Sequence, residues 1–114
     1  MPPIAAVSEQ ALLVRFADAP TPAVAVRIQA VVRALDAARP AWLVDCVPAF
    51  GSLLVIFDPL REDGAVVGEA VRCALTAAVD TPTAARRLVV PVWYDPEVAP
   101  DLEDVARGCA LTVD

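Results

Sequence analysis

The sequence predicts an α+β fold: an antiparallel sheet in βαββαβ order with both helices on one face, an extra N-terminal strand and a short C-terminal helix. Three observations predict it. Several short segments place apolar residues at every second position, two longer ones space them at three and four, and Pro, Gly and Thr punctuate the intervals.

Residues 11–16, Ala-Leu-Leu-Val-Arg-Phe, alternate so that Leu12, Val14 and Phe16 share a face. Residues 4–7 can pair with them through a turn at Ser8-Glu9-Gln10. A helix with defined ends follows. The Thr21 hydroxyl can accept from a free N–H of the first turn, Pro22 suits the first helical position, and Pro40 stops the run. Val24, Ile28, Val31, Val32 and Leu35 form its apolar stripe, with Arg27 and Arg33 off it. Residues 42–47 and 53–57 are the next strands, joined by Pro48-Ala-Phe-Gly-Ser52. That link is short enough for an antiparallel hairpin, and Gly51 is expected to supply an unusual backbone angle. After Asp58-Pro59 a second helix, from 63 or 64 to 79, buries Val67, Ala70, Val71, Ala74, Leu75 and Ala78 and exposes Glu69, Arg72, Cys73 and Thr76. Thr81-Pro82-Thr83 links it to a last strand, 86–94, rich in Val. From residue 11 the order is that of a ferredoxin-like sheet, two βαβ-type units joined by a hairpin. Past Tyr94, Pro96, Pro100 and several acids lead into an amphipathic helix over 101–108, with Asp101 expected as its cap and Asp104 at the capping-box offset.

The chain is 114 residues long, room for one domain that needs no metal or disulfide to hold it. Apolar residues make up 58% and charged ones 21%, which excludes a disordered acidic chain despite the net charge of −6. That charge is unevenly placed. Residues 1–94 carry eight Arg against nine acids, whereas 95–114 carry Arg107 against six acids. We therefore expect a ferredoxin-like N-terminal domain over 1–94 and an acidic junction segment over 95–114. With no Lys and nine scattered Arg, a nucleic-acid partner is not expected. Arg and Asp interrupt every long apolar stretch, so no membrane span is expected either. Three cysteines and no basic, apolar leader at Met1-Pro2-Pro3 point to the cytoplasm.

Alternation makes a demand on the second face of the sheet. If helices cover one side, outward positions should be polar. Here the outward set, Leu13, Arg15, Leu43, Asp45, Leu54, Ile56 and Trp93, is mostly apolar. Either the N-terminal strand and the tail after Tyr94 fold over this face, or a partner or second copy of the chain covers it. Leu13, Leu43, Leu54, Ile56 and Trp93 are the candidate interface residues.

The chemistry-bearing residues offer little else. The absence of His removes Ser-His-Asp and Cys-His sites, and Cys46, Cys73 and Cys109, spaced 27 and 36 apart, make no CxxC pair. Cys73 beside Arg72 is expected on a helix's outer face and Cys46 in the core. Arg86-Arg87 could hold an anion or form a solvated strand end. Asp101, Glu103 and Asp104 point in different directions on a helix, and Trp93-Tyr94 could stack a ligand or adjoin an interface. The four glycines are dispersed and form no phosphate loop. No catalytic, cofactor or metal residue is assigned.

The stretch Val44-Asp-Cys-Val-Pro-Ala-Phe-Gly-Ser-Leu-Leu-Val-Ile-Phe-Asp-Pro59 resembles the signature of the family containing the PxpB subunit of 5-oxoprolinase, also known as allophanate hydrolase subunit 1 or as the Kip inhibitor of a sensor histidine kinase. Two further blocks agree in order. Ala11-Leu-Leu-Val-Arg-Phe16 is similar to the family's opening strand, and Val90-Pro-Val-Trp-Tyr-Asp95 followed by Pro100-Asp-Leu-Glu-Asp-Val-Ala106 to the junction after its first domain. The resemblance implies the N-terminal domain of such a subunit, expected to be a truncated or shortened form, since members continue into a cyclophilin-like domain with a His-containing segment and a Gly- and Pro-rich aromatic motif. It implies a non-catalytic assembly role, with a partner subunit of carboxyltransferase type and a third protein completing ATP-dependent opening of 5-oxoproline to glutamate. ATP belongs to that complex and no cofactor to this segment. Inhibition of a histidine kinase is the alternative it implies.

Overall fold

A computed structural model describes residues 1–79 and 87–113. Along the chain run β1 (Ile4–Ser8), β2 (Ala11–Arg15), α1 (Pro22–Ala38), β3 (Leu43–Pro48), β4 (Ser52–Phe57), α2 (Gly64–Ala77) and α3 (Leu102–Gly108). They fall into two compact units, Met1–Ala84 and Ala85–Asp114.

In the first unit the four strands form one antiparallel sheet in the order β1-β2-β4-β3. The short link 49–51 makes β3 and β4 a hairpin, as expected, and β4 then inserts between β2 and β3. This leaves β2 and β3 parallel to each other and separated by one strand, the split βαβ arrangement with α1 as its crossover. The α+β class, the antiparallel sheet and the N-terminal strand follow the expectation. The closing strand does not. Among the described residues 87–94 no strand forms, and Arg86 and the link 81–83 lie outside the described residues. The physical reason is visible at β2. One of its edges is taken by β4 and the other by β1, whose register runs Ile4 to Val14, Ala5 to Leu13 and Ala6 to Leu12, so no free edge remains beside it. A strand that reaches its partner through a turn at Glu9-Gln10 closes a very short loop at little entropic cost.

Alternation then sorts the side chains. Leu12 and Val14 of β2 and Leu53, Val55 and Phe57 of β4 point to one side, where Ile28, Val31 and Leu35 of α1 and Val67, Val71 and Leu75 of α2 meet them in a single core together with Trp42. Leu53, Val55, Val67 and Val71 are completely buried. Each such side chain contributes about 1.5–3 kcal/mol, so both helices are fixed to this face. Helix α1 begins as its sequence prescribes, with the Thr21 hydroxyl accepting from the Val24 N–H at 3.2 Å and Pro22 in the first turn. It ends at Arg39, in left-handed conformation (φ 41°), before Pro40. Helix α2 is capped by Asp63, whose carboxylate accepts from the Ala65 N–H at 2.8 Å.

The positive backbone angle expected at Gly51 is not found, and no glycine in the described residues has one. Its role is close approach. The Gly51 carbonyl accepts from the N–H groups of Phe16 and Ala17 at 2.8 and 3.1 Å, and a Cβ at this position would lie 2.2 Å from the Ala17 carbonyl oxygen.

In the second unit Asp95 organises a turn, its carboxylate accepting from the Glu97 N–H at 2.9 Å and its carbonyl from Val98 and Ala99. The expected cap of α3 is corrected: Asp101 has helical backbone angles (φ −94°, ψ −2°) and makes no side-chain cap bond. A capping residue typically has an extended backbone, from which its side chain reaches the N–H groups of the first turn. Asp104 pairs instead with Arg107 at 2.9 Å.

Candidate interaction face

The sheet's second face is built by the residues that alternate with the core. Strand pairing lines them up across the sheet: Ala5 opposite Leu13, Leu13 opposite Leu54, and Leu54 opposite Val47. This gives one apolar row spanning all four strands. Beside it Ala11 and Ile56 stand opposite each other, with Asp45 at the β3 end of their row, and on the other side Arg15 faces Ser52. Leu13, Leu54 and Ile56 are half-buried and Val47 is exposed. Within the first unit the core draws only on the opposite face.

Leu13, Leu54 and Ile56 thus lie together where alternation places them. Leu43 does not. It pairs with Phe57, on the helix side, and packs against the core, because a bulge between Leu43 and Asp45 sets two residues of β3 against one of β4 and shifts the phase of everything before it. A bulge of this kind is invisible to an alternation count made on one strand alone. Trp93 is in no strand. It is 68% exposed in the second unit, among the exposed side chains of Leu88, Val89, Val90, Val92 and Tyr94. Ala5 and Val47 complete the apolar row without standing out in the sequence, and their signal is pairing: each is named by its partner in the ladder. The N-terminal strand lies in the plane of the sheet as an edge and not over its face.

The other candidates are dispersed. A cleft of about 510 Å³ between the end of α1 and β3 is lined by Asp36, Arg39, Leu43, Asp45 and Cys46, among others. Burial, with Asp36 and Asp45 adding repulsion of a negative charge, pushes the Cys46 thiol up to about 11. That is the opposite of nucleophile activation, which requires a stabilised thiolate. Cys73 is exposed on α2, as expected, but its neighbour Arg72 is engaged by Glu69 at 2.6 Å. Cys109 is exposed after α3. Arg87 is exposed, and Arg86 lies outside the described residues. Asp101, Glu103 and Asp104 do not converge, and the described residues contain no group of three side chains arranged to hold a metal ion. No helix among them is long and apolar enough to cross a membrane.

A family model described as carboxyltransferase domain, subdomain C and D, matches residues 2–114. Among solved structures, a conserved uncharacterized protein from Pyrococcus horikoshii is 32% identical, with a TM-score of 0.64 over 97% of this chain and 51% of its own. The protein TTHA0988 is 31% identical in one crystal form, with a TM-score of 0.66 over 91% of this chain and 20% of its own. In a second crystal form the same protein superposes with a TM-score of 0.62 at 29% identity. The chain therefore spans about half the length of the first and a fifth of the second. No curated protein matches it.

Proposed function

Since this chain belongs to the family of carboxyltransferase domain, subdomain C and D, we propose that it is a non-catalytic assembly domain of a homologue of the PxpB subunit of 5-oxoprolinase, or allophanate hydrolase subunit 1. In the complete cytoplasmic complex, a partner subunit of carboxyltransferase type and a third, ATP-using protein carry out hydrolysis of 5-oxoproline to glutamate. The observation that carries this reading is the apolar row Ala5, Leu13, Leu54 and Val47 across the sheet's second face; the polar cleft beside β3 holds its one thiol, Cys46, in the protonated form, and the described residues contain no group arranged to hold a metal ion. Such a surface serves association. A site for acyl or phosphoryl chemistry needs a positioned base, nucleophile or metal.

The experiment is ATP-dependent hydrolysis of 5-oxoproline measured with this chain alone and with the reconstituted complex. We expect no turnover from the chain alone, and turnover without partners would overturn the proposal. Autophosphorylation of a sensor histidine kinase, measured with the chain in saturating excess, is expected to be unchanged. Inhibition there would move the assignment to the kinase-inhibitor branch of the family.

A further inference from the structure

We infer that the occupant of the sheet's second face is a second copy of this chain, docked about a two-fold axis that passes through Leu54. The inference rests on the assembly reading above and names the partner that the face fits.

Two charges flank the apolar row. Arg15 is level with Ser52, and Asp45 is level with Ile56, so along β4 the two charges are four residues apart, or about 13 Å at the rise of a strand. Arg15 sits on β2 and Asp45 on β3, with β4 between them, so they are also offset by two strand spacings, about 10 Å. They occupy opposite corners of the part of the face formed by β2, β4 and β3, with β1 beyond Arg15's strand. Both are exposed and neither takes part in an ion pair among the described residues; the Asp45 carboxylate, at the β3 edge where the face borders the α1–β3 cleft, accepts from the Cys46 N–H at 2.8 Å. The residue midway between them in both directions is Leu54, on the intervening strand and two positions from Ser52 and from Ile56.

A pattern of positive corner, apolar centre and negative corner is complementary to itself after a two-fold rotation. An isologous interface requires that if residue i meets j, then j meets i. An axis lying in the interface, crossing the Arg15–Asp45 diagonal at right angles over Leu54, meets this requirement. It sets Arg15 of each copy over Asp45 of the other and brings the two Leu54 side chains together at the centre. The strands of the two copies then cross steeply, as in orthogonally packed sheets. The face is small. Four strands at their usual spacing and five residues of length cover roughly 300 Å² on each copy, well under the ~800 Å² per partner of a standard interface. The dimer is accordingly weak and reversible, and the two symmetry-related ion pairs fix its orientation.

Sedimentation equilibrium of the 114-residue chain, over a wide concentration range at low and high salt, reads this directly. The expected result is a monomer–dimer equilibrium weakened by salt. Arg15→Asp and Asp45→Arg should each weaken association at least tenfold, and the double variant, which restores opposite charges across the axis, should recover it. Leu54→Ser should abolish it while leaving the circular dichroism spectrum unchanged. A wild-type chain that stays monomeric at millimolar concentration overturns the inference, as does a dimer that the two single charge reversals leave intact or that the double variant fails to rescue. A monomeric result leaves the assembly reading to its own turnover test, so the two can fail separately.

Discussion

The guanidinium of Arg27, on α1, donates to the main-chain oxygen of Ala78, the C-cap residue of α2, at 2.7 Å, across 51 residues of sequence. Its second nitrogen donates to the carbonyl of Leu75 in the same last turn. Helix α2 has no basic residue of its own there, and the last carbonyls of any helix are left without intrahelical partners and carry partial negative charge. One helix therefore supplies the C-terminal cap of the other. Hydrogen bonds of this charged kind contribute about 1.5–3 kcal/mol. Arg27→Ala should lower the unfolding free energy by about 2 kcal/mol in urea denaturation, and Arg27→Lys, which keeps the charge but not the forked donors, should recover part of the loss.

Gly51 and Ala17 form a second long-range joint, between the β3–β4 link and the segment that leads into α1. Because the conflict is steric and involves backbone, it cannot be relieved by turning a side chain. Gly51→Ala should cost about 1–3 kcal/mol, the usual range for overpacking. Ala17→Gly should not relieve it, since the atom approached is the carbonyl oxygen of residue 17. A double variant as stable as the wild type would contradict this expectation.

At the end of α3, Ala110 adopts φ 54°, and the Leu111 N–H reaches back to the Ala106 carbonyl at 2.9 Å while the Ala110 N–H bonds the Arg107 carbonyl at 3.3 Å. This is the Schellman closure, usually made with glycine at the left-handed position. A residue with a Cβ is strained there by about 1 kcal/mol. Ala110→Gly should raise the hydrogen-exchange protection of the Leu111 amide roughly fivefold, the factor that about 1 kcal/mol represents in a local opening equilibrium.

The Cys46 thiol provides a pH prediction. Folding raises it from 9.0 to about 11, through burial first and then the charges of Asp36 and Asp45. The folded state therefore holds its proton over a range in which the unfolded chain releases it, and the associated stability is complete below about pH 9 and lost as pH rises toward about 11. The unfolding midpoint should fall across that interval, and Cys46→Ala should flatten the fall. In native protein near neutral pH, iodoacetamide should modify Cys73 and Cys109 well before Cys46, which mass spectrometry can count.

Local features of this protein are legible in its sequence because their causes are local. Thr21, Pro22 and Pro40 bracket α1, a three-and-four spacing names Ile28, Val31, Leu35, Val67, Val71 and Leu75 as buried but misses Ala30 and Gly68 and includes the half-buried Val24, Val32, Ala70, Ala74 and Ala78, and period-two alternation assigns Leu12, Val14, Leu53, Val55 and Phe57 to the core. The same alternation exposes an apolar second face and places Leu13, Leu54 and Ile56 on it. The failures share a different cause. Alternation gives Leu43 the wrong side because a bulge is a property of two strands, and a phase counted along one cannot include it. The expected last strand has strand-like composition, but strand formation needs a free edge, β1 occupies the one beside β2, and the described residues 87–94 form no strand.

Most helix and strand segments, the start and stop of α1, and the family to which the chain is akin can be read from the order of its residues. Tertiary structure alone decides which strand sits beside which, why Gly51 must be glycine, that Arg27 caps a helix 51 residues away, and that Arg15 and Asp45 stand at opposite corners around Leu54. Propensity and periodicity act within a few residues. Edge occupancy, register and close approach depend on contacts between segments far apart in the chain.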